Sequence, residues 1–588
     1  MLQGSQADMA SLTGGPAPGL RLRSKEFVLA SVAAIAAACV YLLIVYAHGA
    51  LGVSRNDDWV YYRAISLFHQ NGFFKPDPFT DAMLIGQLVA FRPLFAAVGQ
   101  NIAAFQIATC AVGAVGLVTA YAFLRRFLSV APAAMSIGVL ALGPIFGVVS
   151  TTFMTDIPSF AVQALCLLLG ARALEGREPD TGRLVVALAV GLVAFSFREY
   201  GAATSLAILA VALVRTFKAS WRARLTVVAL GAIWLAFAVV LFVWRKSLSA
   251  DAGRPMAIDF LPNSTDAVQV ARLWFTLSLL IAPALAFVRP KTVLAAWSRH
   301  RIVASMAALV VGGAWIPLCW RHSVLLGNYV LPITPYSIVF RGLSPTVIPT
   351  PLWFVVEIVS GVSAICLAVL AVYGLGLVIR RFPLDRMTRG ANRSAASLAL
   401  VYTGLSVGVL AAANVLGAAP LFDRYLITVV PLAAGWIIYA FGTRRPAPSQ
   451  KIAGGVALAA YAVLSLAIQD AAATFDGARW RIAQAAVARG YPPEVVDAGY
   501  EWFGLHHPVE IAHGETVRGD GWWLTLFDDP NVCVIVSLPD KGGGYIRDGS
   551  AGPDALVASY TAHGLFGATY ALQAWRVQNS CRLPAEGK

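Results

Sequence analysis

Apolar residues gather in long runs separated by short polar stretches. Thirteen such runs fall near 27–48, 101–123, 130–150, 157–174, 184–198, 202–217, 225–244, 271–288, 302–319, 352–378, 396–416, 425–441 and 452–469. Most match the length that crosses about 30 Å of hydrocarbon at about 1.5 Å per helical residue. Each is predicted to be a spanning helix, because a chain in lipid must satisfy its backbone groups within itself. The runs 184–198 and 202–217 are short, and a bend near Arg198-Glu199-Tyr200 would make them partial spans. Residues 25–470 thus read as an all-α polytopic membrane domain with about 13 transmembrane helices.

The two ends break the pattern. Residues 1–24 begin rich in Gly, Ser, Pro and Ala without an apolar period, and are expected to form a disordered cytoplasmic tail. The first apolar run is too long for a signal peptide, and no small-residue cleavage site follows it. Residues 471–588 have the composition of a soluble domain. A helix is predicted over 476–489, stopped by Gly490 and Pro492-Pro493, with a second helix from Pro493. Strands are predicted at Trp522 to Phe527, Val532 to Leu538 and Thr569 to Val577, giving a small C-terminal α/β domain outside the cytoplasm. Lys541-Gly-Gly-Gly-Tyr545 lacks the Gly-Lys-Ser/Thr ending of a phosphate loop and reads as a turn.

Composition agrees with the pattern. Of 588 residues, 58% are hydrophobic and 13% charged, which excludes a disordered chain or a simple soluble enzyme. The net charge of +14 is mostly topological. With the N-terminus inside, more than half of the 45 lysines and arginines fall in inner segments, in clusters such as Arg125-Arg126, Arg380-Arg381 and Arg444-Arg445. A nucleic-acid partner is not expected, whereas anionic membrane lipid is. Of the seven cysteines, Cys533 and Cys581 lie in the C-terminal region and could pair if it is outside the cell.

The acids take the opposite side. Asp57, Asp58, Asp77, Asp81, Asp156, Glu199, Asp251, Asp259, Asp266 and Asp423 fall on the predicted outer face, where the loops are long. The first outer loop opens Ser54-Arg-Asn-Asp57-Asp58-Trp59. Adjacent carboxylates there suit a general base with a second acid, or a divalent cation site, or a helix cap in which Asn56 or Asp57 precedes a helix from Asp58. Thr155-Asp156-Ile157-Pro158, at the head of the fourth span, equally suits a cap. Arg198-Glu199 ends the fifth span and could be a mutual salt bridge. Arg424-Tyr425 opens the twelfth, where an arginine can snorkel. Glu357 lies about two turns into the tenth. Carboxylates and arginines sharing one membrane face could receive a sugar phosphate, with acids for an incoming hydroxyl and cations for the phosphate.

In their order and sidedness these motifs resemble those of the GT-C membrane glycosyltransferases, nearest to the branch of lipid A aminoarabinose transferase and protein O-mannosyltransferase. The resemblance covers most of 27–470. That branch usually carries Asp-Glu in the first loop, whereas this chain has Asp57-Asp58, so either could be the base. Trp522-Trp523 lacks the following Asp of oligosaccharyltransferases. The resemblance implies a polyprenyl-phosphate sugar as donor, an acceptor hydroxyl on a glycan, lipid or protein, inversion at the sugar, and a bacterial inner-membrane location with the C-terminal domain outside. Asp57, Asp58 and Asp156 would be catalytic or hold a divalent cation. Arg198, Arg424 and Tyr425 would bind the donor phosphate, with Glu199 and Glu357 as further candidates. The rival expectations are a lipid-linked sugar flippase, an assembly protein with a partner-binding outer domain, and a transferase of whole lipid-linked oligosaccharides.

Overall fold

A computed structural model of the chain describes residues 24–74, 82–176, 178–217, 220–248, 264–334, 346–381, 391–415, 421–443, 445–506, 532–538 and 555–577. The predicted tail before Ser24, the acids Asp77, Asp81, Asp251 and Asp259, the segments Trp522 to Phe527 and Lys541 to Tyr545, and Cys581 lie outside the described residues.

The membrane part runs through α1 (Ser24–Ala47), α2 (Asp58–Asn71), α3 (Ile85–Val98), α4 (Ile102–Leu124), α5 (Val130–Ala141), α6 (Phe146–Ser150), α7 (Asp156–Ala173), α8 (Thr181–Phe197) and α9 (Ala202–Thr216). It continues through α10 (Trp221–Ser247), α11 (Ser264–Ile281), α12 (Pro290–Arg299), α13 (Arg301–Trp320), α14 (Thr350–Arg381), α15 (Ala391–Val415), α16 (Val429–Phe441) and α17 (Pro448–Val487). Every predicted apolar run is mostly helical. Among the described residues nine helices are long and apolar enough to cross a membrane, and α3, α5, α8 and α16 are shorter apolar helices. This is a multi-pass membrane protein. Its lipid-facing side chains are apolar and exposed, as along α1, α10 and α13.

Local chemistry sets the boundaries. Asn101, Asp180 and Ser220 cap α4, α8 and α10 by accepting from the backbone N–H of Ala104, Arg183 and Ala223. Gly72, at φ 72°, closes α2 in the left-handed region, its N–H bonded to Phe68 O at 3.1 Å. The predicted span 130–150 is broken at Leu142-Gly143-Pro144 into α5 and the short α6, because proline cannot donate to the helix ladder. The bend expected after α8 is a single 3₁₀ turn, Glu199–Gly201.

Small residues draw the site-bearing helices together. A Cβ on Gly116 of α4 would stand 2.7 Å from the Phe160 ring of α7, and one on Gly113 would stand 3.1 Å from Ile157. Without side chains there, α4 and α7 approach closely, as is usual where lipid supplies no hydrophobic drive between helices. That contact fixes the first turn of α7, where Asp156 sits.

The C-terminal part departs from expectation in two ways. The predicted helix 476–489 is the end of α17, a 40-residue rod that runs through 470 without a break, because no proline interrupts it after Pro448. The helix predicted from Pro493 is one 3₁₀ turn, Pro493–Val495, followed by strand β1 (Val496–Asp497) and a short α18 (Tyr500–His506). β2 (Val534–Ser537) and β4 (Thr569–Arg576) lie within the predicted strands, whereas β3 (Leu556–His563) was not anticipated. The sheet order is β1-β2-β4-β3, with β1 parallel to β2 and the other pairs antiparallel. Tyr570, Leu572 and Ala574 alternate inward along β4, joining a core with Phe475 and Ala478 of α17. Cys533, beside β2, is disulfide-bonded.

Candidate active site

The geometry starts with one backbone torsion. Asn56 stands at φ 57°, in the left-handed region that asparagine tolerates better than most residues. The turn it makes sends the two adjacent carboxylates in different directions. Asp58 is buried and faces back into its own loop. Its Oδ1 accepts from the Ser54 hydroxyl and from Arg55 N at 2.7 Å, and its Oδ2 lies 3.5 Å from Gln106 Nε2. Burial pushes its carboxyl up to about 7, against the Ser54 bond and the Arg55 charge. Asp57 occupies the N-cap position of α2 but makes no capping bond. Its Oδ2 instead accepts from Arg424 Nη2 at 3.2 Å.

A second pair lies alongside. Asp156, the first residue of α7, is fully buried, and neither it nor Thr155 caps the helix through its side chain. Its Oδ2 accepts from Arg198 Nη2 at 3.1 Å, and its Oδ1 accepts from the Tyr200 hydroxyl at 2.9 Å. Arg198 reaches it because the backbone at the end of α8 switches to extended geometry, φ −148°, before the 3₁₀ turn. The expected Arg198–Glu199 bridge gives way to Arg198–Asp156, while Glu199 lies toward the positive field of Arg198, Lys246 and Arg245.

Aromatic side chains join the two pairs. Arg198 Nη2 also donates to the Tyr61 hydroxyl at 3.2 Å. Tyr61 feels the charges of Arg198, Asp57, Arg424 and Asp156 together, and burial pushes its phenol up, so it stays neutral. The Tyr425 ring is shared, with the Arg424 guanidinium 5.6 Å and the Arg198 guanidinium 6.0 Å from its centroid. Tyr200 packs on it at 5.8 Å. Asp57, Asp156, Arg198, Arg424 and Tyr425 therefore meet in one constellation. Of its charged members Asp57 alone is well exposed, at 31%, against 0–7% for the others.

The sequence reading missed Tyr329 and the partner of Asp423. Tyr329 accepts from Asn56 Nδ2 at 2.6 Å and from Arg424 Nη1 at 3.4 Å, so it links the first loop to the arginine. It is held by Asp423, whose Oδ2 accepts the backbone N–H groups of Asn328, Tyr329 and Val330. An acid beside Arg424 was visible in the sequence, but nothing local indicated a partner about ninety residues away. Glu357 stands apart from these contacts. Its carboxylate is 3.5 Å from both Cys319 Sγ and His322 Nδ1.

The acids do not suit a cation. Asp57 and Asp156 each carry a guanidinium and Asp58 is turned away, so a divalent ion would face two buried positive charges. Among the described residues no three His, Cys, Asp or Glu side chains gather as a metal cluster.

Residues 89–244 match the family model described as dolichyl-phosphate-mannose-protein mannosyltransferase. The chain resembles the GT-C membrane glycosyltransferases. The matched segment runs from α3 to α10 and includes Asp156, Arg198 and Tyr200. Among solved structures, ArnT from Cupriavidus metallidurans bound to undecaprenyl phosphate aligns at 14% identity over 96% of this chain and 100% of that one, with a TM-score of 0.40. Apo ArnT from the same organism aligns at 13% identity over 94% and 99%, with a TM-score of 0.36. No curated protein matches the chain.

Proposed function

We propose that this GT-C-like protein transfers a single sugar from a polyprenyl phosphate to an acceptor hydroxyl on the outer face of the bacterial inner membrane, with inversion at the anomeric carbon. The N-terminus lies inside and the C-terminal domain outside, as the basic residues of the inner loops favour. One observation carries the reading: two guanidinium groups, each held by one carboxylate, converge around Tyr61 and Tyr425.

Arginine binds phosphate through paired, charge-assisted N–H bonds. In the proposed cycle the donor phosphate displaces the Asp57 carboxylate from Arg424, and Arg198 takes part in the same contact. Freed from Arg424, the Asp57 carboxylate is left to face the acceptor. It accepts the proton of the acceptor hydroxyl while that oxygen attacks the anomeric carbon from the face opposite the phosphate. The carbon–oxygen bond to phosphate breaks, and polyprenyl phosphate leaves with both electrons, its added charge stabilised by Arg424 and Arg198. Asp156 acts through Arg198, and Asp58 holds the loop that presents Asp57.

The test is a transfer assay with labelled polyprenyl-phosphate monosaccharides in membranes from a deletion strain. The Asp57→Asn variant should lose at least about 1,000-fold in turnover, within the range for removal of a general base, and should still bind undecaprenyl phosphate. Near-normal turnover in that variant would refute the assignment.

A further inference from the structure

The strand of chain that presents Asp57 is gripped from above by the C-terminal part. Glu501, on α18, is fully buried. Its Oε1 accepts from the backbone N–H of Asn56 at 3.0 Å, and its Oε2 accepts from Arg479 on α17. Arg479 is itself fixed by Asp476 at 3.1 Å and by Ala498 O at 3.3 Å. Three further contacts join the same two parts. Trp480 Nε1 donates to Ser54 O at 3.1 Å, Arg63 Nη1 donates to Gly504 O at 3.0 Å, and the Trp59 ring meets Tyr500 edge-on at 5.3 Å. A Cβ on Gly504 would stand 2.5 Å from the Trp59 ring, so that position must be bare for the two to close.

We propose that Glu501 is a positioning residue for the transferase proposed above: it fixes the left-handed Asn56 and thereby aims Asp57 at Arg424. A non-glycine residue keeps such a torsion only where its surroundings over-determine it. Here the determinants are Glu501 on the backbone and Tyr329 on the side chain, one from each part of the protein. Aiming error converts into rate, since a shift of about 1 Å in a reacting group can cost about 100-fold. The inference rests on the transferase reading, but its mechanical half can be measured without turnover.

The experiment compares wild type, Glu501→Gln and Glu501→Ala in lipid nanodiscs. Amide hydrogen exchange over residues 54–57 reads the loop. Steady-state transfer reads the chemistry, and undecaprenyl phosphate binding reads the fold. In Glu501→Ala, exchange should rise at least about tenfold and kcat should fall about 100-fold, with donor KM within about twofold of wild type. Glu501→Gln keeps the side-chain shape but offers one oxygen to Asn56 and Arg479 together, and should lose at least about tenfold in kcat. It decides the matter if the alanine variant no longer binds undecaprenyl phosphate. Unchanged exchange in both variants overturns the proposal, as does kcat within twofold of wild type in both. A wild type that transfers no sugar refutes the transferase reading instead, and the exchange result then decides whether Glu501 holds the loop.

Discussion

Arg424 donates to Asp57 at 3.2 Å across 367 residues of chain. Arg198 does the same to Asp156 at 3.1 Å, 42 residues apart. Long-range pairing of this kind neutralises buried charge in the resting protein, and in the proposed reaction the arginines exchange a carboxylate for a phosphate. Breaking such a buried pair by removing one partner leaves an uncompensated charge, so the informative changes keep the charge and alter the shape.

Arg424→Lys and Arg198→Lys keep a cation but lose the planar fork. Each should lower kcat by about 10–100-fold and weaken undecaprenyl phosphate binding, on the scale of one or two charge-assisted hydrogen bonds at about 1.5–3 kcal/mol each. Equilibrium binding and single-turnover transfer check this. Unaltered binding in both lysine variants would remove the arginines from the phosphate site.

Tyr329→Phe deletes only the hydroxyl that touches Asn56 and Arg424. Loss of one buried hydrogen-bonding group should cost about 1–2 kcal/mol, or about 5–30-fold in kcat if it is felt in the transition state. The measurement is kcat with saturating donor. Full activity would show that the hydroxyl link is dispensable.

Asp58 gives the loop a pH dependence. Its folded-state pKa, about 7, lies above the ordinary 3.8, so the fold prefers the neutral carboxyl. This contribution to stability is complete below about pH 4, declines as pH rises, and is lost above about pH 7. Asp58→Asn cannot ionise, and its thermal midpoint should fall less between pH 5 and pH 8 than that of wild type. Equal falls in detergent melts of the two proteins would contradict the assignment.

Gly116→Leu tests the packing that seats Asp156. Its side chain would meet the Phe160 ring and the Ala161 backbone, both within 3.1 Å of the first added carbon. Overpacking of this kind destabilises by about 1–3 kcal/mol. Thermal unfolding should show that loss, and transfer should fall further than stability alone explains, because α7 carries the acid. A variant as stable and active as wild type would mean the helices can separate freely.

The helical membrane part was legible because lipid imposes a length and an apolar character that a single sequence displays directly. All thirteen runs are mostly helical, and Asp57, Asp156, Arg198 and Arg424 stood out as charges at or near the ends of those runs. Their pairing did not. Arg198 lies next to Glu199 in sequence yet bonds Asp156, because extended backbone at the end of α8 turns it away. Asp57 and Asp58 are equivalent by type, and the Asn56 torsion alone separates the acid that faces Arg424 from the one that holds the loop. Tyr329 and Glu501 carried no local signal, since each matters through a partner hundreds of residues away. The run of α17 past 470 was hidden by the change from apolar to mixed composition, which alters what a helix faces and not whether it continues.

That uninterrupted rod makes register part of the chemistry. With about 3.6 residues per turn, one residue inserted between the membrane half of α17 and Arg479 would rotate everything beyond it by about 100° and lift it by about 1.5 Å. The grip on Asn56 would be lost although every side chain that makes it survived. The C-terminal part is thus geared to the membrane helices rather than tethered to them, and the spacing along one helix matters as much to the loop as any single contact made there.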